Sequence, residues 1–277
     1  MWITKILMMK SLVTIVIPIY QEQPSDLEIL SLNQTLTVLC RYPVTFMAPA
    51  GLNTAWYEDH CRGKATVHFE YFDWKGYEGY VNLMVSPSFY RRFQAYEYML
   101  MCQLDAFVFR DELVEWCRMG YDCLGAVIYN DDRSWHPRNG FWRRLTGFTA
   151  PEYFANSGFT LKKVDTFHRM MSRFRHYIAF YRWVSRLRGV GFYDDLFISQ
   201  HFPKLPGNFR LAPRALAEKF GADYMTYDVA ELPFHNRDND NLPFGIHGWT
   251  QRQLDFWRPC ILRSTRGAWP ASPALPQ

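Results

Sequence analysis

The 277-residue chain lacks any apolar run approaching the ~18 residues that a helix needs to cross a bilayer, so no membrane-spanning segment is expected. Its six cysteines (Cys40, Cys61, Cys102, Cys117, Cys123 and Cys260) form no Cys-x-x-Cys pair and no zinc spacing. A structural zinc module is thereby excluded, and reduced thiols in the cytoplasm are the expectation. Lys5 and Lys10 interrupt the apolar residues of the amino terminus, and no small-residue cleavage site follows, so a signal peptide is not expected either. Charge of one sign is also scarce: 31 basic against 27 acidic residues leave +4, too mild to argue for a nucleic-acid partner. No internal repeat is visible. What the chain does have is aromatic side chains, 18% of all residues, which fill cores or line sugar and base sites.

The apolar segments alternate in period. Val13 to Tyr20 is a β-branched run with Pro18 where a strand would end. Ser25 and Glu28 have capping-box spacing and open an amphipathic helix to about Cys40, whose thiol is expected to pack as a small hydrophobe. Short strands are predicted at 44–48 and about 65–71, and Ser86-Pro87 starts a further helix with a cap. A strand over Tyr98–Leu104, a helix over 111–119 closed by Gly120, and strands over 121–128 and 154–162 follow. This alternation predicts an open α/β sheet covered by helices. Residues 130–150, rich in Asp, Arg, Trp, Gly and Pro, are expected to form a surface loop over a site. One domain is expected over 1–262, with a frayed Pro- and Ala-rich tail over 263–277.

Four polar or glycine centres interrupt the apolar segments. Gln103-Leu-Asp105 ends the strand after Tyr98, and an ionised aspartate between two apolar runs needs a partner, a divalent cation or the next turn. Asn156-Ser157-Gly158 offers close backbone approach to a ligand, or simply a turn. Asp194-Asp195 opens an apolar helix, as a dipole-favoured cap or as reactive carboxylates. His247 stands between Gly245 and Gly248 with Phe244 and Trp249 beside it, as a structural hydrogen bonder or a ligand.

In this order the motifs resemble the GT-A class of glycosyltransferases and, more closely, the glycosyltransferase-like family catalogued as domain of unknown function 5672. Cys102–Phe109, Asn156–Lys162, Asp194–Phe197 and Pro243–Trp249 carry the resemblance, after a first strand ending Ile17-Pro18-Ile19-Tyr20. It implies a GT-A-like, mostly parallel sheet and a nucleotide-sugar donor bound near Pro18, Tyr20, Asn82, Gln103 and Asp105. It implies an acceptor, a glycan or lipid-linked glycan, near Asn156, Ser157, Gly158 and Trp249. The usual Asp-x-Asp is reduced to Gln103-x-Asp105, Ser157 replaces a glycine, and Asp194 replaces a glutamate. Asp105 and His247 are the implied ligands of Mn²⁺ or Mg²⁺, a mixed oxygen and nitrogen set that tilts toward Mn²⁺. Of the acidic pair, Asp195 is the implied base of an inverting transfer and Asp194 its companion.

A basic amphipathic helix is predicted over 164–188. It carries Arg169, Arg173, Arg175, Arg182, Arg186 and Arg188, with an apolar stripe of Phe167, Met171, Phe174, Ile178, Tyr181 and Val184. Such a helix either lies on anionic lipid or packs on the core with a solvated face. The expected setting is therefore cytoplasmic, at the inner face of a membrane, in bacterial surface-polysaccharide assembly. A catalytically silent sugar or nucleotide binder on the same fold, and a peripheral membrane assembly protein, are the alternatives.

Overall fold

The computed structural model describes residues 10–129, 151–223, 242–251 and 253–271; the expected loop at 130–150 lies outside them. Nine strands form one sheet in the order β3-β2-β1-β4-β7-β6-β8-β9-β5. They are β1 (Ser11–Pro18), β2 (Val44–Pro49), β3 (Val67–Phe72), β4 (Tyr96–Cys102), β5 (Ala106–Val108), β6 (Cys123–Tyr129), β7 (Tyr153–Lys163), β8 (Gly221–Ala222) and β9 (Gly245–His247). β3, β2, β1 and β4 are parallel, as are β6, β8 and β9, whereas β7 and β5 run against their neighbours. The parallel part is covered on both faces and therefore reads as continuous apolar sequence: Val13, Ile15, Val16 and Ile17 are all buried.

The helices among the described residues are α1 (Asp26–Val38), α2 (Ala55–Cys61), α3 (Gly76–Met84), α4 (Pro87–Arg91), α5 (Leu113–Arg118), α6 (Val164–Arg173), α7 (Arg175–Leu187), α8 (Asp194–His201), α9 (Arg214–Phe220) and α10 (Leu254–Ser264). Ser25 and Glu28 form the expected capping box at the start of α1. Two expectations need correction. The basic segment is two helices, because Phe174 leaves helical geometry (φ −103°, ψ 17°) between α6 and α7. Cys40 lies beyond the end of α1 and is exposed, while the other five thiols are buried and all six are free. Within the described part of the expected tail, the Trp269 ring packs 6.2 Å from Trp249 and under Arg258. None of the described helices is long and apolar enough to cross a membrane.

A break in the sheet builds the site. Gly125 of β6 faces Thr160 of β7, yet Val127, two residues on, faces Ala155, so β7 bulges outward over residues 156–159. Thr160 Oγ1 donates to the Asn156 carbonyl, and Gly158 N donates to Asn156 Oδ1 at 2.5 Å, closing the bulge on itself. Gly125 is required opposite: a Cβ there would lie 2.9 Å from Thr160 Oγ1 and 3.1 Å from the Asn156 carbonyl.

Candidate active site

β4 ends at Cys102, two residues before the strand end read from the sequence, and Asp105 stands in the tight turn between β4 and β5. The turn is tied down from both sides. Gln103 N donates to the Gly158 carbonyl at 2.8 Å, and Gly248 N donates to the Asp105 carbonyl at 3.1 Å. β5 pairs with β9, setting Ala106 opposite His247. That register brings Asp105 and His247 together across 142 positions of sequence, with Nε2 3.2 Å from Asp105 Oδ1. The same nitrogen lies 2.9 Å from Gln103 Oε1, and Gln103 Nε2 donates to the Tyr80 hydroxyl at 3.1 Å.

Two residues that sequence reasoning missed complete this cluster. Asp223, buried at the end of β8, accepts from His247 Nδ1 at 3.1 Å and from Asn156 Nδ2 at 2.7 Å. Its signal was available: like Asp105, it is a carboxylate closing a short apolar run, Phe220-Gly221-Ala222. Tyr80 had none, since its role depends only on where α3 lies. With acceptors at both ring nitrogens, His247 holds its proton. Burial opposes the charge, but Asp105 and Asp223 outweigh it and push the pKa up to about 10.

Gly158 is the hinge of the arrangement. A Cβ there would overlap His247 Nε2 and Cδ2 and lie 2.6 Å from Gln103 Oε1. Gly158→Ala should therefore displace the imidazole and cost ~1–3 kcal/mol of stability from overpacking. A lowered thermal midpoint with an unchanged far-ultraviolet spectrum is the expected result.

On the other side of the bulge, Ser157 Oγ donates to buried Asp194 Oδ2 at 2.5 Å. Asp195 is only half-buried and accepts from Leu196 N at 2.8 Å and from the Ser157 backbone. Neither acid is the helix cap, which is Tyr193. Burial, then the adjacent Asp194, raise the Asp195 carboxyl to about 7 against these hydrogen bonds. The two acids are thus different groups: Asp194 is consumed in holding Ser157, whereas Asp195 is a partly accessible carboxyl with a pKa near neutrality.

The remaining expected residues divide. Tyr20 follows β1, is 62% exposed, and feels Asp105 and Glu28 closely enough that both add to burial in raising its hydroxyl. Pro18 is buried at the end of β1. Trp249 cannot stack on a sugar: its indole is 1% exposed, donates to Ser31 Oγ at 3.1 Å, and packs edge-on against Phe107. Asn156 and Ser157 spend their side chains inside the protein, so they shape the bulge rather than reach outward. Asn82 lines a cavity of about 290 Å³ with Tyr77, Arg182 and Tyr193, to which neither Asp105 nor His247 contributes.

The donors around His247 suit a cation. Adjacent ligands ~2.1 Å from one ion lie ~3 Å apart, and Nε2 stands 2.9 and 3.2 Å from the Gln103 and Asp105 oxygens. Among the described residues no three His, Cys, Asp or Glu side chains form a metal group; the third polar atom beside Asp105 and His247 is the Gln103 amide oxygen.

This sheet, with a carboxylate turn after β4 and a histidine returned to it by β9, is the GT-A fold of glycosyltransferases. The chain belongs to the family described as protein of unknown function (DUF5672), whose model matches residues 65–247, more than half its length. Its fold is similar to that of the galactosyltransferase LgtC solved with donor and acceptor sugar analogues, with TM-score 0.58, 15% identity, and 93% of this chain and 98% of LgtC covered. Mouse xyloside xylosyltransferase 1 in its apo form is similar with TM-score 0.54, 12% identity, and 87% and 98% covered. The glycosyltransferase GlyE of Streptococcus pneumoniae TIGR4 is similar with TM-score 0.53, 10% identity, and 95% and 65% covered. No curated protein matches the chain in sequence.

Proposed function

We propose that the protein is a glycosyltransferase that moves a sugar from a nucleotide-sugar donor to a hydroxyl of a glycan or lipid-linked glycan. The observation that carries this reading is the convergence of Gln103, Asp105 and His247 on one side of the Gly158 bulge and Asp195 on the other. The similarity in fold to LgtC and to xyloside xylosyltransferase 1 supports it.

Gln103, Asp105 and His247 would hold a divalent cation, Mn²⁺ in preference to Mg²⁺ for its tolerance of nitrogen. When bound, the ion supplies positive charge to the diphosphate leaving group. Tyr20 offers an exposed ring face for the donor base. Asp195 takes the proton of the acceptor hydroxyl as its oxygen bonds to the anomeric carbon. The bond from that carbon to the phosphate oxygen breaks, and the nucleoside diphosphate leaves with the electron pair. A single displacement inverts the anomeric centre, so an inverted product supports Asp195 as the base and a retained one excludes this step. The arginines of α6 and α7 support work at the inner face of an anionic membrane, as surface-polysaccharide assembly requires.

Release of sugar and nucleoside diphosphate from a panel of nucleotide sugars with Mn²⁺ tests the reading. Turnover of at least one donor is expected. The amide at Gln103, where an acid is usual, favours a second reading, a silent nucleotide-sugar binder. Binding without turnover, with or without simple sugar acceptors, would select it.

A further inference from the structure

The cavity between α3 and α7 contains a cation, Arg182, that no anion among the described residues contacts directly. Arg182 is half-buried there and forms no hydrogen bond or ion pair among the described residues; its one ring contact is with Phe192 at 6.0 Å. Burial and then the neighbouring Arg186 work against its charge, and Glu78, which lines the same cavity, offsets only part of this. A guanidinium keeps its proton regardless, so the remaining cost stands until an anion comes into direct contact. Ser185 and Asn82 line the same cavity with a hydroxyl and an amide, both suited to phosphate oxygens. Arg186 is already paired with Glu78 at 2.6 Å, at the exposed rim.

The cavity adjoins the reactive carboxylates. Tyr193, which precedes Asp194, forms part of its wall, and the Tyr77 ring stands 6.3 Å from Tyr193. Tyr80, from the same helix as Tyr77, reaches Gln103. α3 therefore borders the Asp105 and His247 cluster and this cavity together.

The outer surface beside it is apolar. Phe180, Trp183, Leu187 and Val190 are 58%, 55%, 66% and 53% exposed. Their spacing of three, four and three residues places the first three in one line along α7. At ~100° per residue, Arg186 falls between Arg182 and Trp183 around the helix. Val190 both lines the cavity and ends the apolar line. A cationic pocket that opens beside an exposed hydrocarbon-like track matches one chemical class.

We propose that this cavity binds the phosphate group of an amphiphilic acceptor, whose hydrocarbon chain lies along Phe180, Trp183, Leu187 and Val190. Its place as an acceptor site rests on the transferase reading, because only that reading gives Asp195 a hydroxyl to activate. Its binding chemistry does not.

Calorimetric titration with monomeric dodecyl phosphate tests the site, with inorganic phosphate and dodecyl maltoside as head-only and tail-only probes. The intact protein should bind dodecyl phosphate at least tenfold more tightly than either probe. Arg182→Gln should weaken that binding about tenfold, the loss of a charge-assisted pair, and Arg182→Lys should restore part of it. Phe180→Ser with Trp183→Ser should weaken dodecyl phosphate as well. These variants fold if they still bind uridine or guanosine diphosphate with Mn²⁺ as the parent does. Equal dodecyl phosphate affinity in parent and Arg182→Gln would overturn the proposal, as would inorganic phosphate binding equally well or no binding at all. Loss of every nucleotide interaction in the parent, with dodecyl phosphate binding intact, would instead remove the transferase reading and leave the site.

Discussion

Asp195→Asn should slow sugar transfer by ~10²–10⁴, the usual loss when a general base is removed, while donor binding stays within a few fold. On the proposed reading the asymmetry arises because Asp195 would meet the acceptor hydroxyl, whereas Asp105 and His247, which contact each other, would serve the donor. The parent rate should fall as pH drops through about 7, where Asp195 takes up its proton, and the variant should lack that limb. Asp194→Asn should act differently, loosening the Ser157 contact and lowering stability more than it lowers the rate constant of a folded molecule. A transfer assay across pH 5.5–8.5 separates the two. A slower Asp194 variant than Asp195 variant, at equal folded fraction, would reverse the assignment.

The same carboxyl makes an opposite prediction for stability. Its folded pKa lies above the unfolded value, so the native state binds more protons between pH 4 and about 7, and stability declines as pH rises through that range. Above about 7 the penalty is constant. Asp195→Asn removes an ionisable group that the fold disfavours when charged, so its thermal midpoint should exceed the parent's at pH 8 and exceed it less at pH 5. A half-buried carboxyl whose charge costs stability is what a base near neutrality requires.

Asp105→Asn should leave the fold intact and weaken Mn²⁺-dependent nucleotide binding by more than the ~10–100-fold that loss of even an outer partner of a metal ligand costs. The fold survives because the turn is anchored through the Asp105 carbonyl and Gln103 N rather than through the carboxylate. His247 retains Asp223 on its other nitrogen, so the imidazole keeps its place. Ion affinity should also rise with pH in the parent, since Nε2 must release a proton before it can act as a ligand. Titration calorimetry with uridine and guanosine diphosphates, with and without Mn²⁺, reads both effects. Unchanged affinity in the variant would remove Asp105 from the ion.

The α/β architecture was legible in the chain alone, because β-branched runs, a capping box and helical spacing are local signals that tertiary contact did not override. The sequence also singles out Gln103, Asp105, Asp194, Asp195 and His247 as polar centres in apolar surroundings, where burial makes them costly without partners. It did not determine how they group. Asp223 and Tyr80 enter only because the register of β9 on β8 and the placement of α3 set them against His247 and Gln103. Asn156 and Ser157, chosen as ligand contacts, turn inward because the bulge in β7 must satisfy its own polar groups. Trp249 looked like a sugar platform in sequence and is core in space, since an apolar ring beside a glycine is buried or exposed according to what folds over it. Local chemistry is written residue by residue along the chain. Which face of which element meets which other is decided by long-range packing, and that alone separates a ligand from a prop.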